Sequence, residues 1–272
     1  MSTFEKITET TEYLKQYNAS GAKIGVVLGS GLGDFVQEIE THHSVPYSEI
    51  PHFPVSTVQG HSGKLIFGSI AGKPIIAMAG RFHFYEGYAA EDVVFPIRVL
   101  KFLGIETLFL SNAAGGVNTS FKVGDLMIIK DHISFATRNP LIGKNDDRLG
   151  ARFPDMSEPY NKQLIKKAKQ IAQQNNIDLK EGVYFCATGP TFETHAEYKM
   201  VHILGGDAVG MSTVQEVIVA RHMKMNVFAM SVITDIGIRE EDNVITHEEV
   251  LQAAKQAEPK FSTIFRELIA SL

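Results

Sequence analysis

The stretch Gly80 to Tyr88, GRFHFYEGY, sets two anion donors, Arg81 and His83, among the aromatic residues Phe82, Phe84, Tyr85 and Tyr88. Guanidinium and imidazole N–H groups attract a phosphate, and flat aromatic faces pack against a sugar or a base, so the composition suits a ligand carrying both. The competing reading is an ordinary loop in which Arg81 pairs with Glu86 at the surface and the aromatics are core. Several other segments point to the same ligand. GSGLG, Gly29 to Gly33, follows an apolar run and offers converging backbone amides, the Ser30 hydroxyl and the start of an expected helix as a phosphate cradle. Its spacing departs from the dinucleotide fingerprint, because Asp34 stands where the last glycine belongs. His61, in Gly60-His61-Ser62-Gly63, is a further anion donor or simply a solvated turn histidine. Asn112-Ala113-Ala114-Gly115-Gly116 allows close backbone approach to a ligand, or merely tight packing. In Thr188 to Thr194, Phe192 can stack on a heteroaromatic ring whose N–H groups Glu193 accepts; alternatively Glu193 belongs to a helix-start signature. Gly210-Met211-Ser212-Thr213 and Ser231-Val232-Ile233-Thr234-Asp235 repeat the pattern of an apolar run ending in polar residues.

Positioning these groups requires strands whose ends converge. Apolar runs at Lys23–Leu28, Lys64–Phe67, Pro74–Ala79, Glu106–Ser111, Gly124–Lys130, Gly182–Ala187, Ala208–Met211 and Asn226–Thr234 read as strands. Helical periodicity occupies Leu32–Glu40, Glu91–Leu103, Asn161–Asn175, Thr194–Leu204, Val214–Met225 and Thr246–Leu272. Such alternation predicts an α/β fold with a central mixed or mainly parallel sheet covered by helices, and ligand groups gathered at strand ends. Residues 139–155, rich in Gly, Pro, Asn and Asp, form a long loop, and long ordered loops are usually functional.

Composition narrows the class further. The 272 residues, 44% hydrophobic and 21% charged, suit one large domain spanning residues 1–272 and leave no apolar run long enough to cross a bilayer. The amino-terminal segment is charged and polar, with Phe4, Ile7, Leu14 and Tyr17 at roughly helical spacing, so a cytoplasmic location is expected. A formal charge of −5 and the lack of a basic run argue against nucleic acid as a partner. Cys186 is the only cysteine and the ten histidines are scattered, so neither a disulfide nor a metal site is expected.

Taken in order, GSGLG, GHSG, GRFHFYEGY, NAAGG, GPTFET, VGMST and SVITD, followed by His247-Glu248-Glu249-Val250, closely resemble the trimeric purine nucleoside phosphorylases. The resemblance runs from about Ile24 to the carboxy-terminal helix. It implies a single domain with a central mixed sheet, partly barrel-like, and helices on its flanks, of the phosphorylase/hydrolase-like kind. It also implies reversible phosphorolysis of purine nucleosides with orthophosphate as co-substrate and no metal or organic cofactor. Carried onto matching positions, Ser30, His61, Arg81, His83, the backbone at Ala113 and Ser212 correspond to the phosphate site. Tyr85, Met211 and His247 correspond to the ribose contacts. Phe192, Glu193, Val209, Thr234 and Asp235 match the base pocket, and His83, Glu193 and Asp235 are the groups expected to assist the chemistry. The family's homotrimer closes the sugar site with a loop aromatic from a neighbouring subunit, and Phe153 matches it.

Two positions depart from the family pattern. Gln215 stands where proline usually precedes the glutamate of the following helix, a change of little consequence near a helix start. Asp235 stands where family members acting on 6-oxopurines have asparagine, whose amide accepts from N7–H while donating to O6. An ionised aspartate cannot donate. Either Asp235 is held protonated beside Glu193 and still donates to N7 or O6, or it accepts from a 6-amino group and admits adenosine. A Thr-Asp pair here also resembles the methylthioadenosine phosphorylases. Against that identity, a Glu193 carboxylate suits the N1–H of hypoxanthine or guanine, and His247 suits a 5′-hydroxyl. Inosine and guanosine are therefore the expected substrates, in purine salvage. Two rivals remain: a nucleotide-cofactor protein on a Rossmann-like core, disfavoured by the broken fingerprint, and a hydrolytic nucleosidase, which would keep its rate without phosphate.

Overall fold

The apolar runs pair into one continuous sheet. In the computed structural model, which describes residues 1–18, 20–55, 62–238 and 245–272, the strands are β1 (Ile24–Leu28), β2 (Glu40–Pro46), β3 (Lys64–Ile70), β4 (Lys73–Ala79), β5 (Thr107–Gly116), β6 (Leu126–Ile133), β7 (Leu179–Cys186), β8 (Ala208–Gly210) and β9 (Asn226–Ile236). They hydrogen-bond in the order β2-β3-β4-β1-β5-β8-β7-β6-β9, and β9 also pairs with β5. That additional pairing closes β5, β8, β7, β6 and β9 into a barrel, from which β1, β4, β3 and β2 extend as an open wing. Parallel pairs (β1 with β4 and β5, β5 with β9) and antiparallel pairs (β2 with β3, β3 with β4, β5 with β8) make the sheet mixed.

The helices are α1 (Thr3–Lys15), α2 (Ala90–Val93), α3 (Phe95–Phe102), α4 (Lys162–Gln174), α5 (His195–Ile203), α6 (Val214–His222) and α7 (His247–Ala270). Their starts are written locally. Ser2 with Glu5, Thr194 with Glu197 and Thr246 with Glu249 form reciprocal capping boxes that satisfy the first free N–H groups of α1, α5 and α7. Burial then fixes the long helix: Phe261 and Phe265, ring centroids 4.1 Å apart, pack against Phe35, Phe109 and Phe228. This anchors α7 against the sheet and so sets the position of His247 in its first turn. Helix α6 is buried on nearly every side, including Gln215 and Glu216.

Three sequence expectations change. Leu32–Glu40 is not an α-helix: Gly33–Glu38 forms a tight 3₁₀ turn and Glu40 begins β2. GSGLG therefore leads into a 3₁₀ turn, and the expected α-helix start behind the phosphate cradle is not there. Glu91–Leu103 divides at Val94, where the chain breaks off α2 and restarts α3 with a proline in its first turn. Asn112 to Gly116 is not a loop but the far half of β5. The register between β5 and β9 slips between Ala114 and Gly115, which brings Gly115 opposite Asp235. A side chain at Gly115 would press on the Asp235 carboxylate, its Cβ only 2.9 Å from Oδ2.

Candidate active site

Strand ends and the turns that follow them enclose a cavity of about 520 Å³. Among the expected site residues, Ser30, Arg81, His83, Tyr85, Ala113, Phe192, Glu193, Val209, Met211, Ser212, Thr234, Asp235 and His247 all line it. His61 lies outside the described residues. Phe153 is 87% exposed and borders a separate cavity with Leu141, Ile142 and Pro154, so its own chain does not bring it to this site.

One end of the cavity is built around Arg81. Gly29 lets β1 and β5 approach closely there, since a Cβ on it would lie 2.6 Å from the Ser111 carbonyl oxygen. The Arg81 guanidinium is not at the surface, being 1% exposed, and it pairs with Glu216. Its Nε donates to Glu216 Oε1 at 3.3 Å, and its Nη2 lies 3.2 Å from Glu216 Oε2. Nη1 donates to the Ser111 carbonyl at 2.5 Å, to Ser212 Oγ at 3.3 Å and to Thr213 Oγ1 at 3.4 Å. Asn112 Nδ2 reaches the same Thr213 hydroxyl at 2.8 Å. Thr213 holds a left-handed backbone, φ 74°, at the entry to α6, the kind of strain that persists where surrounding bonds over-determine it.

Beside this cluster, Glu86 Oε1 accepts from the His83 backbone N–H at 2.8 Å and lies 3.1 Å from ring Nδ1. A carboxylate only accepts, so Nδ1 carries the proton and Nε2 is the ring atom turned away from Glu86. Burial pulls the His83 imidazole below its usual value, with the Glu86 hydrogen bond opposing the shift. The neutral ring stacks on Tyr85, centroids 4.6 Å apart. Burial pushes the Tyr85 phenol up to about 12, so it keeps its proton. Met211 and His247 also line the cavity, and His247 Nε2 is buried with no hydrogen-bond partner among the described residues.

The other end holds Phe192, Glu193, Tyr198, Val209, Thr234 and Asp235. Thr234 Oγ1 lies 3.3 Å from the Ala114 carbonyl and 3.2 Å from Asp235 Oδ1. The Tyr198 hydroxyl donates to Asp235 Oδ2 at 3.3 Å. Glu193 Oε1 is buried without a hydrogen-bond partner among the described residues. Burial, with a smaller contribution from the Asp235 charge, raises the Glu193 carboxyl above the usual glutamate value. A buried acceptor left open in a cavity wall is suited to an N–H donor from a ligand.

Sequence reasoning missed Glu216 and Tyr198, and it named Asn112 and Thr213 only as members of their motifs. Glu216 had a readable signal: it is the lone acid in the apolar run of α6, and a charge in an all-round buried helix must find a partner. Tyr198 had none, since an aromatic in a helix is ordinarily core. Among the described residues no group of three or more His, Cys, Asp or Glu could hold a metal ion, and no helix is long and apolar enough to cross a membrane.

Residues 23–270 match the Phosphorylase superfamily. Purine nucleoside phosphorylase 1 of Geobacillus stearothermophilus is 48% identical over 266 residues, covering 98% of this chain and 97% of the relative. The crystal structure of Schistosoma mansoni purine nucleoside phosphorylase in complex with adenosine superposes with a TM-score of 0.93 at 41% identity, covering 98% of this chain and 97% of that one. The structure of the Schistosoma mansoni enzyme with inosine gives 0.93 at 40%, covering 98% and 96%. Identity at this level along essentially the whole chain means that the protein belongs to the phosphorylase superfamily and, within it, to the purine nucleoside phosphorylases.

Proposed function

We propose that this chain is a pentosyltransferase that cleaves purine nucleosides, mainly inosine and guanosine and their deoxy forms, with orthophosphate, giving the free base and (deoxy)ribose 1-phosphate in purine salvage. The observation that carries the reading is the polarity of one cavity in a chain of this family. Buried cationic and hydroxyl donors form one group in its lining and an open carboxylate acceptor belongs to another, and Tyr85, Met211 and His247 line the same cavity.

Rupture of the glycosidic bond leaves a cation-like ribose and a purine gaining negative charge, so the site needs an anion on one face of the sugar and a donor at N7. Phosphate is the nucleophile. Its oxygens take hydrogen bonds from Ser30, Arg81, Ser212 and the Ala113 backbone, and from His83 Nε2 once the ring takes up a second proton as the anion binds, with His61 assigned to the same group. Arg81 is held by Glu216 and Ser111, so it orients phosphate without first searching for a conformation. His247 addresses the 5′-hydroxyl, and Phe192 and Val209 flank the base. Glu193 accepts N1–H. Asp235, at the end of β9 with Thr234 beside it, faces N7 as the donor to the leaving base. No organic cofactor or metal enters this scheme.

The chain acts as one domain in a cytoplasmic homotrimer, in which Phe153 of each subunit covers the sugar site of its neighbour. An exposed phenylalanine at the edge of the 139–155 loop supports that arrangement. The test is release of hypoxanthine from inosine with and without phosphate, beside adenosine. Cleavage that requires phosphate and favours inosine supports the reading, whereas an undiminished rate without phosphate identifies a nucleosidase. Comparable or faster turnover of adenosine moves the specificity to 6-aminopurines.

A further inference from the structure

We propose that Tyr198 is the specificity-determining residue that reads the purine 6-oxygen, donating its hydroxyl hydrogen to O6 between Glu193 at N1–H and Asp235 at N7. The inference rests on the 6-oxopurine reading above and deepens it. Along one edge of a 6-oxopurine the polar atoms run N1–H, O6, N7. The base end of the cavity presents Glu193, Tyr198 and Asp235 together. The Tyr198 hydroxyl donates to Asp235 Oδ2 at 3.3 Å, and the Glu193 carboxylate is near enough to act on the same phenol. When Asp235 carries its own hydrogen toward N7, the Tyr198 hydrogen can turn from Oδ2 to a carbonyl oxygen that enters beside it.

The hydroxyl is well fixed. Its ring is 3% exposed and packs among Val117, Phe185, Val201 and Val209. It also lies so close over Gly237 that a Cβ there would collide with it. Burial and the two neighbouring carboxylates raise the phenol far above its ordinary value, so it remains a donor at any working pH. Tyr198 therefore supplies what aspartate in place of asparagine at 235 takes away. An acid at this position cannot serve N7 and O6 at once with a single hydrogen, whereas a tyrosine beside it leaves that hydrogen for N7.

The experiment compares kcat/KM for inosine and for purine riboside, which has hydrogen at C6, in the wild type, Tyr198→Phe, Asp235→Asn and the double variant. Removing one buried donor to a ligand acceptor is expected to lower inosine about tenfold more than purine riboside. In the Asp235→Asn background, where an amide can donate to O6, the same substitution should cost inosine less than about threefold. Equal losses on the two nucleosides, or an undiminished loss in the Asn background, overturn the proposal. Thermal unfolding checks the fold of each variant. If Tyr198→Phe does not fold, Asp235→Asn alone decides. A gain on inosine below about threefold agrees with an O6 already served, and a gain of about tenfold or more overturns it. A wild type that fails to phosphorolyse inosine removes the functional reading instead, so the two failures are distinguishable.

Discussion

At the anion end of the cavity, Arg81, Asn112, Thr213 and Glu216 are buried and bonded to one another, and they come from the ends of β4 and β5 and the turn into α6. At the base end, Phe192 is 40% exposed, Glu193 keeps an open oxygen, and the contributing segments are a loop, one face of α5 and the end of β9. The first end is assembled before any ligand arrives, and its charges are already matched. The second is left with a Glu193 oxygen unmet, and which base meets it depends on a few side chains. One end thus serves the chemistry shared by every substrate, while the other can change specificity by single substitutions without disturbing the core.

Breaking the anion end should have the largest effect, on both activity and stability. Arg81→Ala removes the oriented donor and leaves Glu216 as a buried, uncompensated charge. Phosphorolysis should fall by about 10²–10³ or more, as for loss of a preorganised donor to a reacting anion. Unfolding free energy should drop by about 3–5 kcal/mol. The double variant Arg81→Ala/Glu216→Ala sharpens the point: denaturant melts should recover part of the stability while steady-state kinetics recover none of the activity. Recovery of activity would mean that Arg81 serves only to neutralise Glu216.

Breaking the base end should affect selectivity and spare stability. Glu193→Ala should lower kcat/KM for inosine by roughly 10²-fold through loss of the N1–H acceptor. It should leave unfolding within about 1 kcal/mol of the wild type. The same residue sets a pH dependence. Glu193 must be ionised to accept N1–H, and burial raises its carboxyl above the ordinary value of 4.5. The acid limb of kcat/KM for inosine should therefore lie above that value, and it should vanish from the profile of Glu193→Gln. A limb at or below 4.5 would show that Glu193 is not held as described.

The contrast between the two ends also explains what could be read from the chain. Ser30, Arg81, His83, Phe192, Glu193, Ser212, Thr234 and Asp235 were legible because the transition from an apolar run to a polar or glycine-rich turn is local, and in an α/β fold such transitions gather at one place. Strand β2 was not, because Glu40 to Ser44 are exposed and polar and show no alternation; its pairing with β3 is visible only in three dimensions. Barrel closure through β5 and β9 joins segments more than a hundred residues apart, and no pattern within either reveals it. Tyr198 belongs to the same class, since its meaning lies in its approach to Asp235 from another element.

A further prediction extends the comparison beyond one chain. Phe153 is exposed and makes no contribution to either end of its own cavity. If it covers a neighbour's sugar site, Phe153→Ala should raise the KM for inosine by about tenfold through loss of apolar contact. The KM for phosphate should move far less. Sedimentation should give a trimer for both proteins. Unchanged kinetics, or a wild-type monomer, would confine the site to residues of a single chain.

The smallest expected effect tests whether the base end is indeed left unsatisfied. A carboxyl whose folded-state value is raised binds its proton more tightly in the folded protein than in the unfolded chain. Its favourable contribution to folding is complete below the unfolded value near 4.5 and is lost as pH rises through the raised value. Above that window an ionised Glu193 is a cost to the folded state, reduced where solvent reaches the half-buried side chain. Glu193→Gln removes the charge and keeps the shape, so its melting temperature should exceed that of the wild type by about 2 °C at pH 8 and by nothing measurable at pH 4. Hypoxanthine, by giving N1–H to the carboxylate, should raise the wild-type melting temperature at pH 8 more than that of the variant. A variant less stable than the wild type at pH 8 would mean that Glu193 already has a strong partner, and the contrast between a matched anion end and an open base end would then fail.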